Sequence, residues 1–180
     1  MGAFTTRMAG ALAALALAGC GATGGSGAGA TACPRIAILA DGADLTRYRP
    51  GAPPDLTQMV VDARIAGFEA RCDVTNRGGA LEVRITPRFE AERGPAAQGR
   101  TAELGWFAAV TDTADNVLDR VSGRTQVTFP ANTTRAAAAG PAVQLDLPLA
   151  GGQRAADYLV RLSFQLTPEE LAQNRRRGPR

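Results

Sequence analysis

The stretch LEVRITPRFEA, Leu81 to Ala91, decides the fold. Leu81, Val83, Ile85, Phe89 and Ala91 are apolar, and between them stand Glu82, Arg84, Thr86, Arg88 and Glu90. Successive side chains of a strand point to opposite faces, so this period of two marks a strand with one face on a core and one in water. Pro87 falls on the apolar phase. It has no N–H to give to a ladder and therefore predicts a sheet edge or a bulge at that point.

Outward from this strand the pattern recurs. Tyr158, Val160, Leu162, Phe164 and Leu166 form an inward row, with Arg161, Ser163 and Gln165 facing out. Gly105 to Thr111 (GWFAAVT) is a continuous apolar run that predicts a central strand covered on both faces. Asp112-Thr113-Ala114-Asp115-Asn116 supplies turn residues, and Val117, Asp119, Val121, Gly123, Thr125 and Val127 mark the returning strand. Val143, Leu145, Leu147 and Leu149 give another strand, Arg35 to Leu39 a short one, and Gln58 to Val74 a long one bent near Gly67. About seven strands with turns between them predict an all-β sandwich over residues 33–166, with immunoglobulin- or fibronectin-like topology. A small β-barrel is the alternative. The Trp and Cys spacing of antibody domains is not present. Residues 167–180 read as a short helix and an Arg-rich tail: Thr167 as N-cap, Pro168 at the first position and Glu170 at the third complete a capping box.

The N-terminus is organised differently. Arg7 is the one charge ahead of MAGALAALALA, Met8 to Ala18. That stretch has about eleven residues where a membrane-spanning helix needs about 20, so residues 1–19 read as a signal peptide. Leu17-Ala18-Gly19-Cys20 resembles the lipobox of bacterial lipoproteins. The resemblance implies that Cys20 receives diacylglycerol, becomes the new N-terminus and is acylated, as with palmitate; an ordinary signal peptide beside a cysteine is the alternative. Gly21 in place of aspartate implies, by the sorting rule of enteric bacteria, an outer-membrane protein facing the periplasm. Residues 20–32, CGATGGSGAGATA, form a flexible Gly/Ala/Ser linker with a reach of about 20 Å. The folded part is thus expected to float on a tether beside its membrane.

Hydrophobic residues at 45% and charged residues at 21% suit a single globular domain. All 20 basic residues are arginines, and the net charge of +3 owes most to Arg175, Arg176, Arg177 and Arg180. A nucleic-acid binder spreads its charge over a face, so no nucleic-acid partner is expected. With Cys20 lipidated, Cys33 and Cys72 remain as a pair for a disulfide in an oxidising compartment. Closing a loop of about 40 residues contributes roughly 4 kcal/mol in the chain-entropy model. Two buried free thiols are the alternative.

The chain has no histidine and no lysine. That removes the commonest general base, Schiff-base chemistry and most zinc sites. Ser122 and Ser163 stand at strand positions with no base beside them in the pattern. Glu69, Asp73, Glu82, Glu90, Glu92 and Glu103 contain the makings of a glycosidase-type pair, but they alternate outward and read as the wet face of strands. Asp112 to Asn116 lacks the glycine and the distal glutamate of an EF-hand and reads as a turn rather than a calcium site. Asn132-Thr133-Thr134 matches a glycosylation pattern by coincidence. Trp106 and Phe107 would make a sugar-stacking platform if exposed; within GWFAAV they read as core. No catalytic centre, cofactor or metal is expected. The candidate partner-binding residues are Glu92 and Arg93, at a polar strand end and loop, and the Arg175, Arg176, Arg177 run, suited to anionic phosphate groups or to a solvated tail.

CPRIAILADGADLTRY (33–48), AERGPAA (91–97), AVTDTADNVL (109–118), FPANTTR (129–135) and QLTPEELAQNRRR (165–177), behind the lipobox, carry a resemblance. Over most of residues 33–177 the chain resembles a family of small uncharacterised proteobacterial lipoproteins. The resemblance implies no activity. Two functions then compete. One is a membrane-anchored, non-enzymatic module that binds another envelope protein by its loops or by a sheet edge. The other is a lipoprotein that binds a glycan or small ligand at the Trp106 region. Burial of Trp106 separates them.

Overall fold

The structure, a computed structural model, describes residues 33–178. The signal segment, Cys20 with its linker, and Arg180 lie outside the described residues. Among the described residues nine strands form two packed sheets: β1 (Arg35–Ile38), β2 (Asp44–Tyr48), β3 (Met59–Thr75), β4 (Ala80–Arg93), β5 (Thr101–Thr111), β6 (Val117–Thr128), β7 (Arg135–Ala139), β8 (Val143–Pro148) and β9 (Leu159–Phe164). One helix, α1 (Pro168–Arg177), follows. The first sheet runs β1-β9-β5-β6; the second runs β2-β3-β4, with β7 and β8 end to end along the far side of β4. β1 and β9 are parallel and every other pair is antiparallel. The fold is an all-β sandwich, and neither sheet closes into a barrel.

The deciding stretch behaves as its pattern requires. Leu81, Val83, Ile85, Phe89 and Ala91 are buried, while Arg84, Arg88 and Glu90 are exposed. Phe89 sits at the centre of the core, with ring centroids 6.1 Å from Trp106 and 5.6 Å from Phe164. β5 is the inner strand that GWFAAVT predicts, flanked by β6 and β9. The long β3 slips register between Ile65 and Gly67, where a bend is expected. Thr167 caps α1, its hydroxyl accepting from the Glu170 N–H while the Glu170 carboxylate accepts from the Thr167 N–H, so the capping box forms.

Three expectations are corrected. The first is the count, because β2 and β7 join the seven strands legible by pattern. The second is Pro87, of whose two readings the edge is corrected: β3 pairs with β4 along one side, and β7 and β8 share the other, while the register shift of β3 opposite Phe89 and Arg88 lies next to it. The Pro87 carbonyl accepts from Gly140 N at 2.8 Å, so its missing N–H points to that same side. There it faces Gly140, past the end of β7 and before the start of β8, so the one bond it cannot make falls where the β7 ladder stops. The third is Ser163, which is buried on the outward phase of β9. The turn Ala40–Gly42 sits on it so closely that a Cβ at Gly42 would fall 1.8 Å from the Ser163 hydroxyl oxygen.

Cys33 and Cys72 are joined in a disulfide with Cα atoms 5.5 Å apart. It ties Cys33, two residues ahead of β1 in the first sheet, to β3 in the second. β1 and β2 are two halves of one edge: the chain leaves β9 at Leu39, turns through Ala40–Gly42 and joins β3 in the other sheet. Strands that switch sheets in this way make the corners of sandwiches.

Candidate functional site

Trp106 is fully buried. Its indole N–H donates to the Thr125 hydroxyl at 3.0 Å, and the ring lies against Gly123. A ring at the bottom of the core cannot stack on a sugar, so the platform for the ligand-binding alternative is absent at this position. Phe107 is only half-buried, and the Arg120 guanidinium covers its ring at 4.0 Å.

The carboxylates lie on outer faces with arginines beside them. Glu90 takes Arg64 at 2.7 Å, Glu92 takes Arg135 at 3.2 Å, Glu82 takes Arg84 at 2.8 Å, and Glu69 takes Arg88. Asp73, Glu82 and Asp146 stand directly across from one another in the ladder, a like-charge row answered by Arg84 on Glu82 and by Gln144 on Asp146 at 3.1 Å. An open groove of about 580 Å³ crosses the second sheet, lined by Asp44, Asp62, Arg64, Glu90, Glu92 and Arg135. Among the described residues no group of acidic or thiol side chains is set to hold a metal. Asp112 is a turn residue: its carboxylate accepts from Ala114 N at 2.8 Å, Asn116 N at 2.9 Å and Asn116 Nδ2 at 2.8 Å. The Asn116 side-chain bond, then its backbone bond, holds the Asp112 carboxyl below its usual range.

The candidate partner residues divide. Glu92 is engaged with Arg135, and Arg93 is half-buried, its guanidinium reaching the Gly99 carbonyl at 3.5 Å. In the Arg175–Arg177 run the outer two arginines are tied down and Arg176 is exposed. Arg175 donates to Asp41 at 2.9 Å, and Arg177 donates to Thr46 at 3.2 Å and Asp44 at 3.4 Å. Asn174, between them in space, donates to the carbonyls of Asp41 at 2.8 Å and Asp44 at 2.7 Å. Gln173 reaches the Tyr48 hydroxyl at 3.0 Å and Arg47 reaches Glu170 at 3.0 Å, so α1 is stapled along β2.

This matters because sheet edges present unpaired backbone groups that proteins cover, shorten or interrupt. Ala43 O accepts from Ile65 N, so the next carbonyl, that of Asp44, turns away from β3, and Asn174 occupies it. The β2 edge is therefore sealed by α1. The β1 edge is four residues long and turns into the other sheet. The β7–β8 edge is interrupted at Gly140-Pro141 and ends on Pro148. β6 alone is different: twelve residues, uninterrupted by proline, with Val117 66% and Leu118 54% exposed. No backbone hydrogen bond joins it to β7 or β8 among the described residues. Neither this edge nor Asn174 stands out in the sequence, because edge status follows from strand order and not from local residue pattern.

No family model, curated protein or solved structure matches the chain. Among the described residues no helix is long and apolar enough to cross a membrane.

Proposed function

We propose that the protein is a lipid-tethered, non-enzymatic interaction module of the bacterial envelope, anchored through Cys20 and working through the β6 edge. The observation that carries this reading is the contrast among the four sheet edges. Three are short, interrupted or covered, and the fourth is long and open over its first part, Val117 to Arg124. An open edge binds by backbone hydrogen bonds and needs no reactive side chain, which fits a chain without histidine or lysine. The Gly/Ala/Ser linker would let the domain range about 20 Å from its anchor to meet a partner.

The test is in cells. A photo-crosslinking residue at Ser122 should trap one defined protein, and the same residue at Arg84, on the face of the second sheet, should not. Cys20→Ala should abolish fatty-acid labelling and reduce the adduct. Equal trapping at both positions, or labelling that survives Cys20→Ala, would overturn the reading.

A further inference from the structure

We infer that Asp119–Arg124 of β6 takes up an extended segment of a protein partner as an added strand, and that this segment carries carboxylates four residues apart. The inference rests on the module reading above and names the partner chemistry of the same edge.

Backbone geometry sets where a strand can add. Phe129 N donates to Arg100 O, so from Asp119 onward the odd-numbered residues of β6 turn their amides to β5 and the even-numbered ones turn theirs outward; at Leu118 the register shifts and the rule ends. Ser122 and Arg124 thus offer N–H and C=O groups to a newcomer. The outward N–H of Arg120 is already taken by the Asp119 carboxylate at 2.7 Å, so pairing centres on Ser122 and Arg124. Further along, Thr125 and Val127 are buried, and a Cβ at Gly140 would come within 3.0 Å of the Thr125 hydroxyl, because the second sheet closes up there. The accessible part of the edge is its first two-thirds, beginning at the exposed Val117 and Leu118.

Charge then selects the occupant. Arg120 and Arg124 stand on the outer face, about 13 Å apart along the strand at the usual rise. Arg120 is held over the Phe107 ring and has no carboxylate partner among the described residues. Arg124 meets Glu103 only at 3.8 Å, with side chains 79% and 65% exposed. Side chains directly opposite on paired strands interact, and like charges there repel. An added strand with Asp or Glu at both facing positions answers the two arginines. A second copy of this chain does not: two-fold pairing about Ser122 would set Arg120 against Arg124 at both ends.

The test uses the mature full chain in detergent and two synthetic ten-residue peptides of alternating Thr and Val. One carries glutamates four apart, the other lysines at the same places. The glutamate peptide should bind, lose affinity with added salt, and slow amide exchange at Ser122 and Arg124 about tenfold. Ser122→Pro deletes an outward N–H without touching the β5 ladder and should abolish that protection. Arg120→Glu with Arg124→Glu should weaken the glutamate peptide about tenfold and favour the lysine peptide. Unchanged Trp106 emission keeps each variant interpretable as folded. Equal affinity for the two peptides, protection elsewhere, or binding that survives Ser122→Pro overturns the inference. Dimerisation lost in Ser122→Pro would give the edge to a second copy and overturn it as well. Position-specific crosslinking at Ser122 without any acidic preference would leave the module reading standing and remove only the partner chemistry.

Discussion

Asn174 is the residue on which docking of the C-terminal helix should depend. It is 6% exposed, and its amide nitrogen spends both N–H groups on the carbonyls of Asp41 and Asp44. Asn174→Ala deletes two hydrogen bonds of about 1 kcal/mol each and leaves two carbonyls without a partner, at about 1–3 kcal/mol for each that stays dry. Water admitted to the gap offsets part of this, so a total of about 2–4 kcal/mol is expected. An isolated ten-residue helix is marginal in water, hence the loss should appear first as undocking of α1. The assay is amide exchange across Pro168–Arg177 together with a urea transition. α1 amides should lose most of their protection while the β4 and β5 amides keep theirs. Asn174→Asp, which keeps the shape but replaces both donors with an acceptor, should do at least as much damage. Full protection of α1 in either variant would show that the helix is held by its ion pairs and not by Asn174.

Two other predictions concern the core and the hairpin. In Gly123→Ala the new Cβ would lie 2.4 Å from Trp106 Cζ2 and 2.6 Å from Cε2, so the ring must shift, at about 1–3 kcal/mol. Trp106 is the one tryptophan, so a changed emission should accompany a lower Tm, and an unchanged spectrum and Tm would count against the packing described. The folded Asp112 carboxyl titrates below its ordinary value of 3.8, so its contribution is present above that pH and lost as pH falls through the folded pKa. Acidification should loosen the β5–β6 turn in this window, read at the Asn116 amide, and Asp112→Asn should flatten that part of the profile.

The clean alternation of Leu81–Ala91 and Tyr158–Phe164 was legible because each strand has one face on the core and one in water. β2 was not, because Asp44 and Thr46 look like surface residues and are buried only by a helix some 130 positions later. β7, with the sequence RAAAA, has no alternation to read. Pro87 announces a missing donor, yet only the break between β7 and β8 explains why an inner strand tolerates it. The arginine run follows the same logic as β2: Arg175 has its partner in Asp41, 134 residues earlier. Residue chemistry indicated the wet carboxylates and the turn at Asp112, whereas the open edge of β6 exists only once strand order is known.

The Cys33–Cys72 bridge also has a mechanical meaning. Tension applied to the chain ahead of Cys33 would, without the bridge, fall on β1, whose four residues could peel from β9 one by one. With the bridge, the load passes straight to Cys72 in β3, a strand held by β4 over its length. The chain between the two cysteines, 39 positions from one to the other, which would otherwise yield about 130 Å of slack, is held in a closed loop. The disulfide is a strain relief, placed where a pull from the N-terminal side would enter the fold.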